Sequence, residues 1–230
     1  MCGRFTLRTP ASTLAGLFDA LRFPAFEPRY NICPTQPVAC IRYSASGDSE
    51  LANLRWGLIP FWAKDQKIGA RMINARSETV SNKPAFRAAF KSRRCLILGD
   101  GFYEWKKIGK AKQPYYISRT DDQPFAMAGL WESWQDKSDP DKPIVESCTI
   151  LTTEANALME PLHDRMPVIV SRDDYEFWLD SQFDDRPKLQ RMFRPCEPNE
   201  LRVFLVDRMV NKVGNDSPQC IQPIRQQDLF

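Results

Sequence analysis

The residue with the most distinctive chemistry is Cys2, in the opening segment Met1-Cys2-Gly3-Arg4-Phe5. If the start methionine is removed, Cys2 carries a free α-amine and a thiol on adjacent carbons. Such a 1,2-aminothiol condenses with an aldehyde to an imine, and the thiol then closes onto the imine carbon as a thiazolidine. Both groups can react near neutral pH, because an α-amine has a pKa of about 7.7–8.0 and a free thiol one of about 8.5. The alternative is that Cys2 is an ordinary part of a frayed terminus.

Two further polar residues follow or lie between apolar or aromatic side chains. Asn74 follows Met72-Ile73, and Arg76 stands two residues later, so both would face the same side of an extended segment. Glu104 lies between two aromatic residues, a setting that tends to raise the pKa of a carboxyl and lets it exchange protons near neutrality. The alternative for Glu104 is a strand residue that faces solvent while its neighbours face the core.

His163 is the only histidine of the chain. It is therefore the only ordinary side chain whose unperturbed pKa lies near neutrality. A lone histidine is more often structural than catalytic. Asp164 and Arg165 could orient it or bind a phosphate, and equally could form a plain surface ion pair.

The charge is unevenly distributed. The chain of 230 residues has a net charge of only +3, but residues 83–112 hold nine basic and two acidic residues, a local charge of +7. A basic surface of this kind suits a phosphate backbone, and the alternative is a solvated lysine-rich hairpin. Trp56, Trp62 and Trp105 could stack on unpaired bases, although tryptophan is more often part of a core.

The seven cysteines are scattered, without a Cys-x-x-Cys pair, which argues against a disulfide framework or a zinc site. A single histidine excludes a multi-histidine metal site. No apolar run approaches the roughly 18 residues of a membrane span, and no signal-peptide pattern is present. We therefore expect a cytoplasmic, nucleoid-associated protein that uses no metal, no cofactor and no membrane.

Apolar periodicity predicts the elements that position these residues. Helices are expected at 10–21, with Thr9 as N-cap, at 84–92, at 172–180 after a capping-box-like Ser171, and at 187–193. Strands are expected at 38–43, 51–56, 95–98, 101–106, 114–118, 125–133, 145–152, 167–170 and 201–206. Residues 24–36 and 56–62 are predicted to be irregular.

Strands outnumber helices, and there is no regular βαβ alternation. We therefore predict an α+β single domain whose curled, largely antiparallel or mixed, barrel-like sheet is flanked by a few helices and carries a basic cleft. This domain is expected to span residues 2–225, with Met1 removed and residues 226–230 as a flexible tail.

Six motifs, in order along the chain, resemble the SRAP family (SOS response-associated peptidase-like), whose members attach themselves to abasic sites in DNA. They are Met1-Cys2-Gly3-Arg4-Phe5, Arg29-Tyr30-Asn31, Trp56-Gly57-Leu58-Ile59-Pro60, Ile73-Asn74-Ala75-Arg76-Ser77-Glu78-Thr79, Gly101-Phe102-Tyr103-Glu104-Trp105-Lys106 and His163-Asp164-Arg165-Met166-Pro167. The resemblance runs from residue 2 to the Val213-Gly214-Asn215 region. It implies a monomer that forms a thiazolidine between mature Cys2 and the ring-opened aldehyde of an abasic deoxyribose in single-stranded DNA, which shields the lesion.

The resemblance also implies roles for individual residues. Asn74 would hold the opened sugar or Cys2, Glu104 would move protons during ring opening and imine formation, and His163 would do so at the sugar hydroxyl. The residues implied to contact DNA are Arg4, Arg76 and Arg165 at phosphates, Pro34, Trp62 and Trp105 as cleft walls, and Lys83 and Thr152 at the backbone. Cys33 departs from the family's more frequent alanine, and its thiol could lie near the cleft.

Two other functions remain open. An N-terminal-cysteine peptidase or amide hydrolase could use Cys2, His163 and Glu104, and a non-covalent module could bind single-stranded DNA through the basic groove. A weak strand-cleaving lyase activity could accompany crosslinking. An unpaired strand is the expected substrate because a lesion without its base has little stacking to lose when it enters a cleft.

Overall fold

The computed structural model describes residues 2–18, 26–44, 46–109, 111–183 and 185–225. Its strands are β1 (Phe5–Leu7), β2 (Arg29–Ile32), β3 (Pro37–Tyr43), β4 (Ser49–Trp56), β5 (Asn74–Arg76), β6 (Arg94–Gly99), β7 (Gly101–Ile108), β8 (Ala111–Arg119), β9 (Phe125–Trp134), β10 (Val145–Glu154), β11 (Arg165–Pro167), β12 (Ile169–Val170) and β13 (Leu201–Leu205). Its α-helices are α1 (Ala11–Phe18), α2 (Arg87–Ser92), α3 (Tyr175–Leu179) and α4 (Arg186–Arg191). Short 3-10 helices span Gln66–Arg71, Arg172–Asp174, Pro198–Glu200, Arg208–Asn211 and Pro218–Ile221. The predicted tail at 226–230 and the end of the first predicted helix lie outside the described residues.

Five strands close into a barrel. They follow the order β10-β4-β3-β6-β9, and β10 completes the circle because it pairs in parallel with β4 and antiparallel with β9. Every residue of β6 is buried, which is why its sequence is a continuous apolar run after Arg94. At Gly129 of β9, an added Cβ would lie 2.8 Å from Ile97 and 2.9 Å from the Cys95 sulfur, so only glycine fits inside the barrel at this point.

A second, antiparallel sheet has the strand order β13-β8-β7-β1-β2. The N-terminal strand β1 pairs with β7, with Phe5 opposite Phe102. The predicted α+β domain with a barrel-like sheet is thus confirmed, as are the paired strands predicted at 38–43 and 51–56.

Several local predictions were wrong. The predicted irregular stretch 24–36 contains β2, which forms because it pairs with β1, and Asp216 accepts the N–H groups of Tyr30 and Asn31. Ser171 occupies an N-cap position but makes no side-chain cap bond, and a 3-10 turn precedes α3. The Thr9 hydroxyl bonds to the Asp100 carboxylate, and α1 begins only at Ala11. No helix in the described parts of the chain is long and apolar enough to cross a membrane.

Candidate active site

Strand pairing holds the segment next to Cys2 against β7. β1 runs antiparallel to β7, with Phe5 opposite Phe102, and the N–H of Tyr103 donates to the carbonyl of Arg4 at 3.0 Å. This bond lies two residues from Cys2 on one side and next to Glu104 on the other. A segment that sequence alone would leave frayed is therefore held against the sheet as far as Arg4.

The Cys2 side chain is fully buried. Burial raises the pKa of its thiol, and the negative charge of the Glu104 carboxylate raises that pKa further. The sulfur makes only a long contact, 3.7 Å, with the carbonyl of Arg4. After burial, the charge of Glu104 is thus the largest cause of the raised pKa of this thiol.

Asn74 holds the backbone of Cys2. It opens β5, which runs parallel to β10 with Asn74 opposite Ile150. Its side-chain amide donates to the Cys2 carbonyl at 2.8 Å. The amide oxygen of Asn74 is buried and has no hydrogen-bond partner among the described residues, so one acceptor remains open beside Cys2. The prediction that Asn74 contacts Cys2 fits this geometry.

Glu104 and His163 meet at one cleft. Glu104 lies on β7 and is only 3% exposed. The cleft has a volume of about 420 Å³, and its lining residues are Arg4, Glu104, Trp105, Lys112, His163 and Asn211. Cys2 does not line it, which agrees with its complete burial. Glu104 is therefore the residue that connects the buried thiol to the open cleft.

The imidazole of His163 is oriented by its own chain segment. Its Nδ1 lies 2.7 Å from a carboxylate oxygen of Asp164 and accepts the backbone N–H of Arg165 at 3.0 Å. Both contacts occupy the same edge of the ring. The other nitrogen, Nε2, makes no hydrogen bond within the described residues, and His163 is one of the residues that line the cleft.

Two of the three predicted phosphate-binding arginines are engaged within the protein. Arg4 donates to the side chain of Asn31 at 3.1 Å, to the carbonyl of Asn211 at 3.1 Å and to the carbonyl of Val210. These acceptors are uncharged, so the positive charge of Arg4 is retained at the edge of the cleft.

Arg165 forms a two-bond pair with Glu78, one bond measuring 2.9 Å, and also donates to the Thr152 carbonyl. This pairing lowers the pKa of Glu78. Arg76, at the end of β5, is exposed and makes no hydrogen bond or ion pair within the described residues. Of the three arginines, Arg76 is the one whose guanidinium is free for a ligand.

The predicted aromatic walls differ in accessibility. Trp62 is 44% exposed, beside Phe61 at 51%. Trp105 is partly buried and donates from its indole nitrogen to the Asn211 side chain at 2.7 Å. Trp56 is fully buried against Phe5, which agrees with the alternative that this tryptophan is part of the core.

The other residues predicted to contact DNA do not line this cleft. Pro34 is partly exposed in the turn after β2, and Lys83 is exposed before α2. Thr152 is fully buried, and its hydroxyl donates to the Ala75 carbonyl at 3.4 Å. Burial raises the pKa of the Cys33 thiol, which donates to the Asn31 carbonyl at 3.3 Å.

Sequence reasoning missed Asn211, which lines the cleft, and it counted Lys112, which also lines the cleft, only as part of the basic stretch 83–112. Asn211 ends a 3-10 helix and contacts both Trp105 and Arg4. The buried side chain of Asn31 fastens the segment around this helix, donating to the carbonyls of Val210, Lys212 and Asn215. The Arg-Tyr-Asn motif was the available signal, but its partners lie about 180 residues away.

No metal centre is visible at this cleft. The described part of the chain contains no group of three or more His, Cys, Asp or Glu side chains that could hold a metal ion.

Comparisons with known proteins find one family and relatives with similar sequences. The family model for SOS response associated peptidase (SRAP) matches residues 1–213. Abasic site processing protein YoqW of Bacillus subtilis (strain 168) is 42% identical over 226 residues, covering 96% of this chain and 99% of the relative. Abasic site processing protein HMCES of Gallus gallus is 31% identical, covering 89% of this chain and 68% of the relative.

A solved structure of a protein from Bacteroides thetaiotaomicron has the same fold, with a TM-score of 0.86 at 24% identity, covering 97% of this chain and 100% of that one. The family model spans the segments that carry Cys2, Asn74, Glu104 and His163. The chain therefore belongs to the SOS response associated peptidase (SRAP) family.

Proposed function

We propose that this protein processes abasic sites in DNA and does so by crosslinking itself to them in single strands through mature Cys2. The observation that carries the proposal is the hydrogen bond of 2.8 Å by which Asn74 holds the Cys2 carbonyl, together with the cleft that Glu104 and His163 both line. The relatives named abasic site processing proteins support the choice of substrate.

The proposed reaction of Cys2 with the sugar aldehyde balances in atoms and electrons without a cofactor. The α-amine of mature Cys2 attacks the C1′ aldehyde of the opened sugar, and the resulting carbinolamine loses one water to form an imine. The sulfur then adds to the imine carbon while the nitrogen takes up the thiol proton. A C–S bond forms, the C=N bond becomes a C–N single bond, and one water leaves for each crosslink.

Glu104 and His163 supply the proton transfers. The closed sugar must lose a proton from its C1′ hydroxyl and gain one at its ring oxygen before an aldehyde is available. Two proton-carrying side chains on one cleft can do this together, and Glu104 can also take the proton of the Cys2 ammonium. The unpaired oxygen of Asn74 is an acceptor for the amine or for a sugar hydroxyl.

Denaturing electrophoresis tests the proposal. The wild-type protein, mixed with a single-stranded oligonucleotide that carries one abasic site, should give a band that stays shifted after heating. Cys2→Ala should abolish this band while native-gel binding survives. A heat-stable band from Cys2→Ala would overturn the assignment. Mass spectrometry of the purified protein must also show the loss of one methionine.

Two further variants separate the steps. Cys2→Ser keeps the amine but not the thiol, so it should form only an imine, which borohydride reduces to a stable amine and which is lost without reductant. Cys33→Ser is the matched control, since it removes another buried thiol and should crosslink like the wild type. Equal heat stability of the Cys2→Ser and wild-type adducts without reductant would contradict ring closure.

The same gel distinguishes the other two functions. A non-covalent module would bind in the native gel and give no heat-stable band. An N-terminal-cysteine hydrolase would also give none, and would instead cleave peptide or amide substrates in a reaction that Cys2→Ala abolishes.

A further inference from the structure

The outer half of the β7–β8 hairpin carries lysines that the site described above does not use. Lys106, Lys107 and Lys112, here called the lysine arm, are all exposed. Residues 105–115 include four lysines and no acidic residue. The arm leads directly out of the cleft, because Lys112 lines the cleft together with Glu104 and His163.

Two lysines of the arm stand directly opposite each other. In the antiparallel pairing of β7 with β8, Lys107 is the partner of Lys112. Like charges in this position destabilise a strand pair. Within the described residues the only lysines in ion pairs are Lys67 and Lys142, so no carboxylate compensates the repulsion. An anion bound between the two ammonium groups would relieve it.

The arm continues the face that carries Trp105. Residues two apart on a strand share a face, so Trp105 and Lys107 point to the same side, and their partners Pro114 and Lys112 do as well. Trp105 and Lys107 lie about 7 Å apart along β7. One face of the hairpin thus presents an aromatic ring at the cleft and a pair of cations just beyond it.

Two of the arginines predicted to contact phosphates are held by protein partners. Arg165 is neutralised by Glu78, and Arg4 donates hydrogen bonds to three uncharged protein acceptors. Arg76 is free, but it lies on β5 and not on the hairpin. Lys112 is the cleft cation that makes no hydrogen bond or ion pair within the described residues.

We propose that the lysine arm binds the phosphodiester backbone of the DNA strand next to the lesion, with one phosphate held between Lys107 and Lys112. This inference rests on the proposed function. It extends the binding surface from the reacting sugar to flanking nucleotides, along the side of the cleft formed by β7 and β8.

Salt dependence of binding tests the arm without any covalent step. The probe is a single-stranded oligonucleotide with a tetrahydrofuran abasic analogue, which has no aldehyde, and its Kd is measured with the full-length protein over a series of salt concentrations. Lys107→Gln/Lys112→Gln should reduce the slope of log K against log salt by roughly 0.7, since each neutralised phosphate of a single strand contributes about 0.7 and the two lysines hold one phosphate. The matched control is Lys91→Gln/Lys137→Gln, which removes the same charge from α2 and from the loop after β9 and should leave the slope unchanged.

Two outcomes would contradict phosphate binding by the lysine arm. One is an unchanged salt slope in Lys107→Gln/Lys112→Gln, and the other is an equal reduction of the salt slope in the control pair. Circular dichroism of both double variants checks that the fold is retained, and the single variants Lys107→Gln and Lys112→Gln give the slope if the double variant is unfolded. Failure of the proposed function would look different, because the wild type would then give no heat-stable band on aldehyde-bearing DNA while the salt slopes could still differ.

Discussion

Two groups of buried thiols in this protein share their burial but not their surroundings. Cys2 is fully buried, and so are Cys40, Cys95 and Cys148 inside the barrel. Burial is the largest cause of the raised thiol pKa in all four. Inside the barrel, however, the Cys40 thiol contacts the carbonyl of Val38 at 3.7 Å and the sulfur of Cys148 at 3.9 Å, and it has no polar side chain other than a thiol as a hydrogen-bond partner among the described residues.

At Cys2 the surroundings include the carboxylate of Glu104 and the amide of Asn74. Burial alone therefore gives an inert, protonated thiol. The acceptors and proton carriers beside Cys2 distinguish a candidate reactive centre from a packing residue. The comparison can be tested through those neighbours.

The largest effect on the crosslinking rate is expected when the carboxyl group of Glu104 is removed. Glu104→Gln should slow crosslinking by about 10²–10⁴-fold, because it removes a general acid–base group, and should leave binding of the tetrahydrofuran oligonucleotide intact. Single-turnover crosslinking rates measure this. The matched control is Glu132→Gln, which changes a carboxyl of similar burial on the barrel, 4% against 3% exposed. If Glu104→Gln reacts as fast as Glu132→Gln, Glu104 has no part in the mechanism.

A smaller effect on the crosslinking rate is expected when the side-chain amide of Asn74 is removed. Asn74→Ala removes the hydrogen bond to the Cys2 carbonyl, and a bond worth about 0.5–1.5 kcal/mol corresponds to a rate loss of roughly tenfold at most. The loss should appear in the crosslinking rate at saturating DNA, since the bond positions Cys2. The exposed Asn53→Ala is the control. A rate for Asn74→Ala equal to that of Asn53→Ala would mean that Cys2 does not need this contact.

The smallest effect on chemistry is expected inside the barrel. Cys148→Ala should crosslink at the wild-type rate while losing about 1 kcal/mol of unfolding free energy, comparable to deleting one buried methylene. Crosslinking assays and urea denaturation measure the two quantities. A crosslinking defect in a folded Cys148→Ala protein would break the contrast between the two groups of thiols.

The raised pKa that all four buried thiols share should make the unfolding free energy of the protein depend on pH. A thiol whose pKa is higher in the folded than in the unfolded state stabilises the fold fully below the unfolded pKa of about 8.5 and loses that contribution as pH rises above it. The unfolding free energy should therefore fall between pH 8.5 and 10, by up to about 1.4 kcal/mol per pH unit for each such thiol. Cys148→Ala should show a shallower fall in denaturant titrations, and an equal slope would contradict its raised pKa.

Sequence patterns predicted the long strands but missed the short strands β1, β2 and β5. The β3–β4 pair and strands β6 to β10 were found because each has a long apolar or alternating pattern of its own. β1, β2 and β5 have only three or four residues each and exist because a distant strand supplies their hydrogen bonds. The strands that hold the reactive terminus and Asn74 are among those that local patterns could not reveal.

The sequence by itself determined the chemical groups: an aminothiol precursor at Cys2, one histidine, a carboxyl among aromatic residues and a surplus of lysine between residues 83 and 112. These follow from residue type and need no geometry. Only the tertiary structure decided that Asn74 bonds to Cys2 and that Glu104 and His163 line the same cleft, since local patterns do not show which distant segments meet. It also decided which cations are available, because Arg165 and Lys112 carry the same charge and only their folded neighbours show that the first is neutralised by Glu78.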